Sequence, residues 1–261
     1  MTLATDSPVP ILAVVSPKGG NGKTMIAVNL AMSLARSGSV LLVDLDTHFG
    51  DIEYALRLHP VYRLDQVLDK YSKNTTADLE ILLTQHSKNI SVLCSPSNPV
   101  IADDISAEKC FKVLDKLRTP GRPMVIDTAA GISEFTIGAV EWATHTILVS
   151  GTDVASVQAG RKLLDAMAQF GLSTDRVRLV VNRSTARTGL TVADVEAVLG
   201  MKAIFEIPES AGIASAANDG SPITESSAES PISQLFYRFV DEINGVTPAS
   251  KRSFWFRRGN R

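Results

Sequence analysis

Seven consecutive residues, Lys18-Gly19-Gly20-Asn21-Gly22-Lys23-Thr24, follow the apolar run Ile11-Leu12-Ala13-Val14-Val15 and precede a helix-like stretch from Met25 to Arg36. Glycines at 19, 20 and 22 can take positive φ and bring main-chain N–H groups against anionic oxygens with no Cβ in the way. A helix starting near Gly22 presents unpaired N–H groups and the positive end of its dipole to the same place. Lys23 adds a mobile cation for terminal phosphates, Thr24 a hydroxyl placed to ligate Mg²⁺, and Met25 completes the binding stretch. Strand, glycine-rich turn and helix stand in the order needed to bind a nucleoside triphosphate.

Two further segments bring carboxylates. Val40-Leu41-Leu42-Val43-Asp44-Leu45-Asp46 reads as a buried strand whose C-terminal end carries two acids. Alternation along a strand puts Asp44 and Asp46 on the same side. Met124-Val125-Ile126-Asp127 is a second apolar run ending in an acid, followed by the small residues Thr128-Ala129-Ala130-Gly131. Parallel sheets bind ligands outside the C-terminal ends of their strands, which is where these acids fall.

The elements that must hold these groups are legible as a pattern. Short β-branched runs recur at 11–16, 39–44, 90–93, 123–127, 145–150, 177–182 and 203–207, separated by amphipathic stretches such as 104–117, 154–170 and 192–199. Near-continuously apolar strands alternating with helices predict a doubly wound α/β domain, mostly parallel, with helices on both faces. That domain spans 10–245, between a flexible N-terminus at 1–9 and a tail at 246–261; segment 219–231 reads as a polar, turn-rich connection to a last helix at 232–243. At 261 residues and 44% hydrophobic, the chain can bury a large core. A net charge of −2 excludes a globally basic nucleic-acid binder. The two cysteines, Cys94 and Cys110, have no metal or disulfide spacing, and no apolar stretch approaches a membrane span, so a cytoplasmic protein is expected.

The loop departs from the general phosphate-binding pattern because Pro17 stands where its first glycine belongs, and a second lysine, Lys18, stands at the front. This arrangement resembles the deviant K-G-G-x-G-K-[ST] loop of the ParA/MinD superfamily of ATPases, over about residues 10–245. The resemblance implies ATP or ADP and Mg²⁺ as ligands, and a homodimer in which Lys18 reaches the partner's nucleotide while Lys23 serves its own. It also implies Asp44 in the outer shell of the metal and Asp127 holding the metal through water, with Asp46 orienting or activating the attacking water. By the same resemblance Asn182 and Arg183 lie against the adenine ring, and Ile207-Pro208-Glu209 closes over it from the other side. Leu42-Val43-Asp44-Leu45-Asp46-Thr47-His48-Phe49-Gly50-Asp51 and Thr152-Asp153-Val154-Ala155-Ser156-Val157 are similar to segments of CpaE/TadZ proteins, which position pilus machinery. A slow, partner-stimulated ATPase recruiting a protein partner or polar landmark is therefore expected. A DNA-partition ATPase, a MinD-like or flagellar-number regulator, and a scaffold that does not turn nucleotide over remain the alternatives.

The last eleven residues carry +5 and no acid, which leaves −7 on the rest. Lys251, Arg252, Arg257 and Arg258 flank Phe254, Trp255 and Phe256, a mixture suited to an anionic membrane surface, to a protein partner or, less well, to nonspecific DNA contact.

Overall fold

A computed structural model describes residues 9–73 and 78–245. Eight strands run β1 Ile11–Val15, β2 Val40–Leu45, β3 Thr84–Ser87, β4 Ile90–Leu93, β5 Met124–Thr128, β6 His145–Ser150, β7 Val177–Asn182 and β8 Ala203–Ile207. Eleven helices intervene among the described residues: α1 Lys23–Leu34, α2 Ile52–Ala55, α3 Leu64–Ser72, α4 Pro99–Ala102, α5 Ala107–Lys116, α6 Glu134–Trp142, α7 Val154–Gln169, α8 Val192–Leu199, α9 Ala211–Asn218, α10 Ile223–Ser226 and α11 Pro231–Ile243. The strands form one sheet in the order β3-β4-β2-β5-β1-β6-β7-β8, parallel throughout except where β3 pairs antiparallel with β4.

Every residue of β1, β2 and β5 is buried, because helices cover both faces of the sheet. Alternation divides the strand side chains between two cores. Ile11, Ala13, Leu41, Val43 and Ile126 join the side chains of α3, α5, α6, α7 and α8. Leu12, Val14, Leu42, Val125 and Phe205 join those of α1 and α11. Since the strands run the same way, the loops after β1, β2, β5, β6, β7 and β8 emerge at one edge. That edge gathers the expected site residues.

The sequence-derived strands reappear within a residue or two, and the last helix begins at Pro231. The hairpin formed by β3 and β4 adds an edge strand that the apolar runs did not reveal; Thr84–Ser87 alternates half-buried and exposed and carries no hydrophobic residue. Segment 219–231 is more than a connection, since it folds a short α10 whose Ile223 and Thr224 are buried. The basic and aromatic tail, with the membrane, protein and DNA contacts expected of it, lies outside the described residues.

Helix α11 is fastened to the edge strand β8 by Phe239, which stacks on Phe205 with ring centroids 4.8 Å apart and planes 19° from parallel. Phe239 is 1% exposed. Phe239→Ala should destabilise the fold by about 3–5 kcal/mol, the usual loss for a buried aromatic. Urea denaturation followed by circular dichroism measures it, and a loss below about 1 kcal/mol would show that α11 does not depend on this contact.

Candidate functional site

The loop after β1 is shaped by two residues in the left-handed region, Gly20 at φ +80° and Gly22 at φ +86°. Gly22 caps α1, whose first turn carries no acid and receives no side-chain cap, so its N–H groups are free to meet an anion. Glycine is required at 22 for a second reason. A Cβ there would stand 2.5 Å from Asn182 Nδ2.

Asn21 holds the loop in place. Its Nδ2 donates to Ser16 Oγ at 2.8 Å, its Oδ1 lies 2.9 Å from the Ser156 hydroxyl, and its carbonyl oxygen accepts from Asn182 Nδ2 at 2.8 Å. Loops from β1, β6 and β7 therefore meet at one buried amide. The Asn21 side chain is a support for the loop and leaves ligand contact to the backbone.

The two lysines differ in surroundings. Lys23 is 8% exposed. The Lys18 side chain is 40% exposed and pairs with Asp153 Oδ1 at 2.8 Å. Asp153 caps α7 by accepting the Ser156 N–H at 3.0 Å. Burial pushes the Asp153 carboxyl up, but the Lys18 ammonium and the Ser156 hydroxyl and N–H outweigh it and hold the group at about 2.

Asp44 and Asp127 sit opposite each other in the register between β2 and β5, both fully buried. Asp44 already uses its oxygens: Oδ1 accepts the Asp46 N–H at 3.1 Å and Oδ2 the Ile52 N–H at 3.2 Å. Burial, and then the charge of Asp127, raise its pKa well above the ordinary value. Asp46 in turn accepts the Phe49 N–H at 3.1 Å, so the loop after β2 is wound on its own acids. Gly50 completes the winding, since a Cβ there would press on Ser95 Oγ and, at 2.5 Å, on Asp44 Oδ2. Asp51 lies within electrostatic reach of Asp46 and Lys23; burial and then Asp46 push its carboxyl up.

Asp127 is the exception. Neither of its buried oxygens makes a hydrogen bond of normal geometry, although the Thr24 hydroxyl lies near enough to act on the group. Burial raises its pKa from 3.8 to about 7, opposed by the Thr24 hydroxyl and the Lys23 charge and reinforced by Asp46 and Asp51. Buried carboxylate oxygens without well-formed hydrogen bonds suit a hard cation, so the residues present fit Mg²⁺, with Thr24 and Asp127 beside it. Among the described residues no group of three or more His, Cys, Asp or Glu could hold a metal alone. Phosphate and water oxygens would complete its shell. Asp44, with one main-chain donor on each oxygen, organises the 46–52 loop from a position beside Asp127.

Beside the loop opens a cavity of about 480 Å³ lined by Gly22, Met25, Asn182, Arg183, Pro208 and Glu209, with Ser210 and the first turns of α9. Four of the five residues expected around the base, Asn182, Arg183, Pro208 and Glu209, are thus gathered at one cavity. Ile207 is not; its side chain is fully buried in the core, and its carbonyl oxygen accepts the Ser184 N–H at 2.9 Å. The Asn182 amide is also engaged, donating to Asn21 and accepting the Arg183 N–H at 3.0 Å, while Arg183 takes φ +52° to turn the chain along the cavity wall. Asp153 and Ser156 were absent from the sequence-derived site. Their signal lay in the Thr152–Val157 segment, read there only for its family likeness.

In metal-free, nucleotide-free protein, folding favours protonated Asp127, because its folded value of about 7 stands above the ordinary 3.8. The group adds no penalty below pH 4, and the penalty grows as pH rises towards 7. Asp127→Asn should therefore stabilise the fold at pH 8 by up to about 4 kcal/mol and change it little at pH 4. Urea midpoints at the two pH values test this, and equal shifts at both would contradict it.

With this geometry in view, the chain matches the CobQ/CobB/MinD/ParA nucleotide binding domain over residues 12–223. It is 26% identical over 244 residues to the septum site-determining protein MinD of Thermotoga maritima, covering 90% of this chain and 88% of that one. The structure superposes on a ParA family ATPase from Chlorobium tepidum with a TM-score of 0.80 at 20% identity, covering 89% of this chain and 97% of that one. It also superposes on MinD of Pyrococcus horikoshii, solved with Mg-ADP, with a TM-score of 0.77 at 24% identity, covering 90% and 96%. Those two likenesses establish the doubly wound fold, and the family match extends across the phosphate loop, both buried acids and the strands that deliver them. The chain belongs to the CobQ/CobB/MinD/ParA family of nucleotide-binding domains.

Proposed function

We propose that this chain is an ATP-dependent dimerising switch ATPase that positions a cellular assembly in the cytoplasm, in the manner of CpaE/TadZ proteins acting on pilus or secretion machinery. The observation that carries the reading is the division of labour between the two lysines. Lys23 is buried at 8% exposure, whereas the Lys18 side chain is 40% exposed and paired with Asp153. Exposed apolar side chains support a dimer at the same edge: Phe49, Ile132 and Val154 belong to the stretches that follow β2, β5 and β6 and are 78%, 46% and 61% exposed.

In this reading the 19–24 backbone and Lys23 bind the phosphates of ATP, and the cavity lined by Met25, Arg183, Pro208 and Glu209 receives the base. Bound Mg²⁺ would supply charge neutralisation for the phosphates, held at Thr24 and Asp127. Asp46 accepts a hydrogen bond from the attacking water and orients it. Lys18 leaves Asp153 for the partner's phosphate oxygens when two copies close, and it adds positive charge where negative charge grows in the transition state. The Gly131 N–H lies 3.4 Å from the Ser16 carbonyl oxygen, so the small-residue loop after Asp127 is tied to the phosphate loop and can follow its occupancy.

Lys23→Ala should weaken ATP binding about tenfold to a hundredfold, the loss of a charge-assisted contact. Equilibrium titration with a fluorescent nucleotide reads it. Lys18→Ala should abolish dimerisation on ATP while the monomer still binds nucleotide; light scattering that shows an undiminished dimer would remove the cross-subunit role. Asp46→Ala should slow phosphate release about a hundredfold or more while the ATP dimer persists. Turnover at the wild-type rate would remove Asp46 from the chemistry, and no turnover in the wild-type protein, even with a bacterial lysate as partner source, would favour the scaffold reading.

A further inference from the structure

Asn29 sits in the middle of α1, one and a half turns beyond Thr24, and is 2% exposed. A buried amide within an apolar helix face is disfavoured by desolvation and by helix propensity. Here it is bonded at both ends. Its Nδ2 donates to the Met25 carbonyl oxygen at 2.8 Å, and its Oδ1 accepts the Thr224 N–H at 3.1 Å and the Thr224 hydroxyl at 2.8 Å. The Thr224 carbonyl oxygen accepts the Tyr237 hydroxyl at 3.0 Å, and the Arg36 guanidinium lies 3.8 Å above the Tyr237 ring. Helices α1, α10 and α11 are thus joined by polar groups at a place where apolar packing would have sufficed.

A second observation concerns space. Behind the 480 Å³ cavity lies a smaller apolar one of about 20 Å³, and Met25, Ile213 and Ala217 line both. Asn29 and Ile223 line the smaller cavity as well. Met25 has a flexible, unbranched side chain, and the crevice beside it has room for no more than about one water. A ligand pressing on this wall can therefore displace it without overpacking the core.

We propose that Asn29 is a positioning residue that carries the occupancy of the base cavity into α10 and α11. A base against Met25 and Ile213 drives the shared wall into the crevice. The first turn of α1 moves with that wall, the Asn29 amide, held to the Met25 main-chain carbonyl, draws Thr224 of α10 after it, and Tyr237 together with Ser233 passes the shift to α11. The face that α11 presents then depends on the nucleotide state. This inference rests on the nucleotide reading given above.

Hydrogen exchange on the full chain, with Mg-ADP or the non-hydrolysable analogue AMPPNP as probe, tests it beside an equilibrium titration of each variant. In the wild type, filling the cavity should slow exchange in 223–243 by at least about threefold. Asn29→Ala should lose the response in both α10 and α11 while keeping nucleotide affinity within about tenfold, because the phosphate contacts remain. Tyr237→Phe, which removes only a hydroxyl, should keep the response in α10 and weaken it in α11, where Ser233 still bonds the Ile223 and Ser227 carbonyl oxygens, a split that a purely structural role would not produce. If Asn29→Ala does not fold, Thr224→Val must lose the response in its place. A full response in Asn29→Ala or Thr224→Val, or a wild type that binds nucleotide without any response, overturns the relay. A wild type that binds no nucleotide in the titration overturns the nucleotide reading itself, and the relay with it.

Discussion

Two carboxylates buried side by side at the ends of β2 and β5 are the constraint on which the surrounding loops depend. Like charges in a low-dielectric setting are costly unless each finds donors or a cation. Asp44 is met by main-chain N–H groups, and the 46–52 loop winds around it to supply them. Asp127 is left with none. The chain thus resolves half of an electrostatic problem with its own backbone and leaves the other half open at the point where Thr24 and Lys23 converge. A site that is uncomfortable when empty is one whose occupant contributes to stability as well as chemistry.

The phosphate and base ends of the site are referred to one another through Asn21 and Asn182. Asn21 donates to Ser16 and accepts from Ser156 and Asn182, so the loop after β1 cannot move without disturbing those after β6 and β7. Gly22 is fitted against the Asn182 amide with no room for a methyl group. The distance between the phosphate cradle and the base cavity is therefore set by a packed contact between the ends of β1 and β7, six apart in chain order and two apart in the sheet.

Much of this was legible in the sequence, and the remainder was not for physical reasons. A phosphate loop must be contiguous, because adjacent N–H groups and the following helix act together, so 18–24 announces itself. The acids at 44, 46 and 127 end apolar runs, which places them without any tertiary information. Asp153 is different: it is remote in sequence, and nothing in a helix-capping aspartate reveals that its second function is to hold Lys18. Ile207 was misplaced because a motif at a strand end does not say which residue faces in; alternation in β8 turns Ile207 into the core and leaves Pro208 and Glu209 at the cavity. The strand β3 and the short α2, α4 and α10 escaped because four-residue elements carry too little periodicity to be distinguished from loops. Asp44 shows a further limit, since its residue type and position do not reveal that the 46–52 loop is wound on it, which only the direction of the neighbouring N–H groups shows.

The pairing of Lys18 with Asp153 has a kinetic side. Asp153 is not a free acid waiting for a cation; it is fixed by the Ser156 N–H and hydroxyl as the cap of α7, bonds that do not involve Lys18. The departure of the lysine does not fray the helix, and its return finds the carboxylate already aimed. Exchange between the resting contact and any other anion within reach is then limited by rotamer changes of one partly exposed side chain, on the picosecond-to-nanosecond scale, and requires no rearrangement of the backbone. The contact between Lys18 and Asp153 therefore sets no slow step of its own.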